Sequence, residues 1–136
     1  MTRKQASTVD ESLRLSLRGL REGSKVTAER LAAEARAMGL GWSRSTVADI
    51  ESARRRLSAG EMLALPLILS AATGKGVKLA DLFSGDIALT ESITLPPSEL
   101  RHLFQGEPVT TGYESLAERE AREVLARYEA QRKGES

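Results

Sequence analysis

The side chains best equipped for chemistry in this 136-residue chain lie between Trp42 and Arg56, in the run W-S-R-S-T-V-A-D-I-E-S-A-R-R-R. An arginine presents a planar fork of donors that fits phosphates and the guanine edge, and serine and threonine hydroxyls both donate and accept. Ser43 is suited to cap a helix, because its hydroxyl accepts from a backbone N–H that has no partner inside the helix. Val47 and Ile50, three residues apart, then give that helix a narrow apolar stripe to bury. Arg44, Ser45, Thr46, Ala48, Asp49 and Ser52 fall on the opposite surface, and Arg54, Arg55 and Arg56 follow where the helix should end. A slim helix anchored by two aliphatics, polar outside and basic at its exit, has the properties needed to read DNA.

Other chemistries find little support. The chain has no cysteine, which excludes disulfides, thiol catalysis and thiolate metal sites. His102 is the only histidine and has no H-x-x-x-H partner, so neither a metal centre nor a nucleophile–histidine pair is expected. Gly74-Lys75-Gly76 lacks the G-x-x-x-x-G-K-[ST] spacing of a phosphate loop, and no strand precedes it. We expect no enzyme and no cofactor.

Length allows one ordinary domain, or a small domain plus an appendage. With 40% hydrophobic but only 4% aromatic residues, the composition favours Ala- and Leu-rich helices over a β-sandwich. Residues 1–60 hold 12 Lys/Arg against 7 Asp/Glu, whereas residues 61–136 hold 8 against 12. A basic first part beside an acidic second part points to the first as the one that meets a polyanion. The start Met1-Thr2-Arg3-Lys4 leads into polar residues rather than an apolar signal region, and Met62–Leu69 is too short to cross a bilayer. A cytoplasmic protein without a membrane partner is expected.

These side chains need elements to hold them. Residues 1–8 are polar and read as a frayed terminus. Val9, Leu13, Leu17 and Leu20 recur at helical spacing and Gly23 marks a stop. Thr27 is a good N-cap for a second helix, in which Leu31, Ala35 and Met38 share a face. Gly39 and Gly41 form a turn, and Trp42 is placed to staple the next helix by packing. Ser58 and Glu61 make a capping box for a core helix that is apolar around almost its full circumference. Pro66 falls inside that helix, where a kink or break is expected. Leu79, Leu82 and Phe83 close the core with a last short turn.

Beyond Gly85 the texture changes. Ile87, Leu89, Ile93 and Leu95 alternate with small polar residues, which predicts one strand that must pair with something, a second copy included. Ser98–Phe104 allows one or two helical turns, and the G-E-P-V-T-T-G stretch reads as a loop. Ser115–Lys133 predicts a long charged helix whose narrow stripe includes Leu116, Val124, Leu125 and Tyr128. Such a helix gains stability by docking on another element or subunit. These eight apolar residues are the dimerisation candidates.

In this order the features resemble the Cro and lambda-repressor type helix-turn-helix family (the XRE family). The resemblance covers roughly residues 10–83 and rests on L-A-A-E, S-R-S-T-V-A-D-I-E, L-S-A-G-E-M-L-A-L and K-L-A-D-L-F. It implies a mainly α fold, a five-helix DNA-binding domain over residues 1–85. Residues 86–136 would be a strand-plus-helix element that joins two copies. It further implies that the third helix reads major-groove base edges, with Arg44, Ser45 and Asp49 facing bases and Thr46, Arg54, Arg55 and Arg56 on phosphates. Phosphate would repel Asp49, which leaves it to orient Arg44 or to accept from a cytosine N4, the first being the expectation. Two positions depart from the pattern. A-R-A-M-G-L-G-W adds about five residues before Ser43, and Ala53 stands where many members have glycine.

The expectation is therefore a homodimeric, sequence-specific transcriptional regulator, most simply a repressor such as a phage immunity repressor, bound to a near-palindromic duplex. Two other classes stay open: an antitoxin-like protein-interaction module, and an architectural DNA binder with little sequence preference. Plain structural roles are also expected within the run, notably a salt bridge from Glu51 to an arginine of the same domain.

Overall fold

Thr8, Thr27, Ser43 and Ser58 each accept a hydrogen bond from the backbone N–H three residues on, and each opens a helix. In the computed structural model, which describes residues 6–107 and 115–134, these are α1 (Val9–Gly23), α2 (Ala28–Ala37), α3 (Arg44–Glu51) and α4 (Ala59–Thr73). A 3-10 turn, Leu79–Leu82, follows α4 and takes the place expected of a fifth helix. The protein is mainly helical, with a small three-stranded sheet.

The first three helices end alike. In each, the second residue past the helix donates its N–H to the first of two carbonyls left open in the last turn: Lys25 to Glu22, Gly39 to Arg36 and Ala53 to Ile50. The residue after it bonds one carbonyl further back, Val26 to Arg21, Leu40 to Ala35 and Arg54 to Asp49. This double closure requires a left-handed residue. Gly39 takes that conformation freely, whereas Lys25 (φ 58°) and Ala53 (φ 66°) take it against a clash of Cβ with the backbone.

The main core joins Leu13 and Leu17 of α1, Leu31, Ala32 and Ala35 of α2, Val47 and Ile50 of α3, Leu65, Ile68 and Leu69 of α4, and Leu82, with Trp42 buried among them. Met38 is exposed, so only Leu31 and Ala35 of the expected α2 face are inside. Helix α4 runs unbroken through a buried Pro66, so the expected break is absent. Leu65, Ile68 and Leu69 are buried on either side of it, and their packing outweighs a local cost of about 3 kcal/mol. The helix is not apolar-buried all round either. Leu63 and Leu67 are 60% and 63% exposed on its outer face.

The segment expected as one strand is a hairpin. Strand β2 (Ile87–Ala88) pairs antiparallel with β3 (Thr94–Leu95), and β1 (Ser7–Thr8) pairs parallel with β2. Thr90-Glu91-Ser92 is too polar to continue the alternation, and the Thr90 hydroxyl accepts from the N–H groups of Ser92 and Ile93 to form the turn. Residues 7–8 are thereby held in the sheet rather than frayed. Ile87, Leu95 and Leu100 of α5 (Pro97–Phe104) make a second small core with Val9, Phe83 and Ile93. Val9 and Phe83 belong to both cores, so packing crosses the position of the expected boundary after Gly85. Ile87 and Leu95 are spent inside this chain and are not presented to a second copy. Leu89 is exposed.

Helix α6 (Leu116–Gly134) matches the expected charged helix and has no buried residue. No helix among the described residues is long and apolar enough to cross a membrane.

Candidate nucleic-acid interface

Helix α3 is held at both ends by side chains that the run itself supplies. The Ser43 hydroxyl accepts from the Thr46 N–H at 3.2 Å, and Thr46 Oγ1 accepts from the Ser43 N–H at 3.1 Å. Thr46, expected on phosphate, is therefore engaged as the second half of a capping box. Trp42, one residue before the cap, is buried, and its Nε1 donates to Glu61 Oε2 at 2.6 Å. The extra length of the turn before α3 is pinned from behind, because Arg36 donates to the Trp42 carbonyl at 2.8 Å and to Glu29 at 2.8 Å.

At the exit, Glu51 binds Arg21 in a two-pronged pair, with Nε to Oε1 at 2.7 Å and Nη2 to Oε2 at 3.0 Å. This is the expected structural salt bridge. The hydrogen bond to Glu51 raises the Arg21 pKa; partial burial opposes it, and the Glu51 and Glu22 charges reinforce it. Arg14 donates to the Glu51 backbone carbonyl at 3.4 Å, which places a cation at the negative end of the helix dipole.

The basic run after α3 does not act as one unit. Arg55 turns inward and clamps Glu61, with Nη1 to Oε1 at 3.2 Å and Nη2 to Oε2 at 2.8 Å, so it is withdrawn from the expected set of phosphate contacts. Arg56 is 88% exposed, with Asp10 at 3.7 Å. Arg54 is exposed and makes no side-chain hydrogen bond or ion pair among the described residues. Arg44 is likewise exposed and unpaired. The expected orientation of Arg44 by Asp49 is absent: Asp49 is half-buried, and no bond joins the two. The Asp49 backbone carbonyl instead accepts from the N–H groups of Arg54 and Arg55, at 2.8 and 3.1 Å, and so shapes the exit.

Glu61 is the residue whose importance the spacing alone hid. Its S-x-x-E position marks it only as a cap, yet the buried carboxylate takes bonds from the Ser58 N–H, the Trp42 indole and the Arg55 guanidinium. Burial pushes its pKa upward, but the bonds from Arg55, Ser58 and Trp42 prevail and hold it at about 2. One carboxylate thus ties together the entry to α3, its basic exit and the first turn of α4.

What remains outward on α3 is Arg44, Ser45, Ala48 and Ser52, continued by Arg54 and Arg56. The side chains are small except for the arginines, and the only carboxylate among the α3 residues on that side is the half-buried Asp49. Such a face offers a close approach to a surface rich in acceptors, with cations at both ends. Near Arg56 an open cleft of about 310 Å³ carries both signs of charge, from Asp10, Glu11, Arg14, Arg55 and Arg56. Among the described residues no cluster of three or more His, Cys, Asp or Glu side chains is placed to hold a metal, and His102 is paired with Glu107. Compared with known proteins, the chain matches no protein-family model, and no curated protein or solved structure is significantly similar to it.

Proposed function

We propose that this chain is a sequence-specific DNA-binding transcriptional regulator, a repressor of the Cro and lambda-repressor type, that lays α3 in the major groove. The observation that carries the reading is the division among arginines around α3. Arg14, Arg21, Arg36 and Arg55 are bonded inward and hold the helix, whereas Arg44, Arg54 and Arg56 project to solvent from its entry and exit. A helix immobilised in this way loses little further entropy on binding, and its outward cations meet a polyanion already in place.

In this reading Arg44 and Ser45 address base edges, with Arg44 able to reach guanine O6 and N7 together. Arg54 and Arg56 grip phosphate, while Thr46, Asp49 and Arg55 shape the helix that does so. One helix of this size makes few base contacts, which gives dimerisation a motive. Two copies joined through the C-terminal region would read half-sites about one helical turn, roughly 34 Å, apart. Such a regulator works where the DNA is, in the cytoplasm.

Selection of bound duplexes from a random pool tests the proposal. A consensus with two-fold symmetry is the expected result. Equal recovery of all sequences would leave an architectural binder, and no retention at low salt would sink DNA binding altogether.

A further inference from the structure

Helix α6 presents Ala117, Ala121, Val124 and Tyr128 at the four-three-four spacing of a coiled-coil seam, and every one of them is exposed. The residues flanking that seam on one side are Glu120 and Arg127; on the other they are Glu118, Leu125 and Arg132. Neither Glu120 nor Arg127 forms an ion pair within the described residues, and Arg127 Nε reaches only the Glu123 backbone carbonyl, at 3.4 Å. We infer that the partner of α6 is α6 of a second copy, running antiparallel.

The charges decide both the partner and the direction. In a parallel pair, residues from opposite flanks meet five positions apart, which sets Arg127 against Arg132 of the other copy twice over and Glu120 against Leu125. In an antiparallel pair, residues from the same flank meet. Ala117 then packs on Tyr128 of the other copy and Ala121 on Val124, while Glu120 lies beside Arg127 in two symmetry-related places. Small residues thus face large ones, and both ion pairs are attractive. The exposed Leu63–Leu67 face of α4 is another apolar surface among the described residues, but from Met62 to Thr73 α4 has no charged residue to complement Glu120 or Arg127. Tyr128 suits the end of such a seam, since its ring packs while its hydroxyl stays in water. The arrangement rests on the dimeric part of the proposed function and not on DNA binding. It sets the first residues of the two α6 helices roughly 20 Å apart, on opposite sides of the two-fold axis.

Sedimentation of the full-length chain, with DNA absent, tests the inference. The wild-type chain should show a concentration-dependent monomer–dimer equilibrium. Glu120→Arg and Arg127→Glu should each raise the dimer dissociation constant about tenfold, since each turns two attractive contacts repulsive. The double variant Glu120→Arg/Arg127→Glu should restore it. Because the chain has no cysteine, orientation can be read by oxidation. Ala117→Cys alone should not cross-link, its two copies lying about 16 Å apart along the seam. Ala117→Cys/Tyr128→Cys should form a covalent dimer. A chain that stays monomeric at every concentration, a dimer indifferent to the charge reversals, or self-linking by Ala117→Cys alone would each overturn the antiparallel pair. Loss of DNA binding with an intact charge-swap pattern would overturn the DNA reading only.

Discussion

The indole of Trp42 and the carboxylate of Glu61 meet at 2.6 Å, joining the residue that precedes α3 to the first turn of α4. The same carboxylate holds Arg55 and the Ser58 N–H, so the orientation of α3 depends on one buried charge. Glu61→Gln leaves Arg55 without its counter-ion and weakens the cap. A loss of about 2–4 kcal/mol is expected in urea unfolding, less than for a fully enclosed pair because Arg55 is 40% exposed. Trp42, the only tryptophan, reports the transition by fluorescence.

The same group sets an acid limit. Its pKa in the fold, about 2, lies below the ordinary 4.5, so its contribution is complete above pH 4.5 and disappears as pH falls towards 2. Up to about 3 kcal/mol should be lost across that window. Glu61→Gln should flatten this part of the stability–pH curve. A variant that keeps the full acid dependence would show that other carboxylates are responsible.

Ala53 closes α3 in the left-handed region at φ 66°. Ala53→Gly removes the Cβ clash but adds freedom to the unfolded chain. A net stabilisation of about 0.5–1 kcal/mol should follow, seen as a rise in Tm of a few degrees. Lys25→Gly, at φ 58°, should behave the same way. Ala53→Val should move Tm in the opposite direction.

The basic run should divide by function. Arg54→Ala/Arg56→Ala is expected to leave unfolding nearly unchanged while lowering DNA affinity for all sequences. The slope of log affinity against log salt should become shallower by roughly 2. Arg55→Ala should do the reverse, costing stability through Glu61 with a smaller change in salt slope. Identical behaviour of the three arginines would refute the division.

Arg44→Ala should act on discrimination rather than on general affinity. A loss of about 1–3 kcal/mol for the selected duplex, with little change for random duplexes, is expected. Equal losses on both would place Arg44 on phosphate instead.

Local chemistry was legible in the chain without any structure. Thr27, Ser43 and Ser58 announce helix starts because a cap acts within three residues of its own position. The Leu13–Leu17 and Val47–Ile50 spacings announce buried faces because helical periodicity is local too. The antiparallel hairpin over residues 87–95 was half visible. Its apolar ends alternate correctly, but the alternation reads as one strand throughout, and Thr90-Glu91-Ser92 becomes a turn only where β2 and β3 pair.

Tertiary structure alone decided which charges are spent and which remain. Arg54, Arg55 and Arg56 are indistinguishable as a run, and they part company only because Glu61 lies within reach of Arg55. Thr46 and Asp49 look like contact residues by type, yet one completes a cap and the other's backbone carbonyl receives the exit of α3. Residue type and spacing thus determined that a capped, basic-ended helix forms between Ser43 and Arg56. The partners brought in from α1, α2 and α4 decided which of its side chains face outward, because an ion pair depends on distance in space, and that distance exists only once the core has closed.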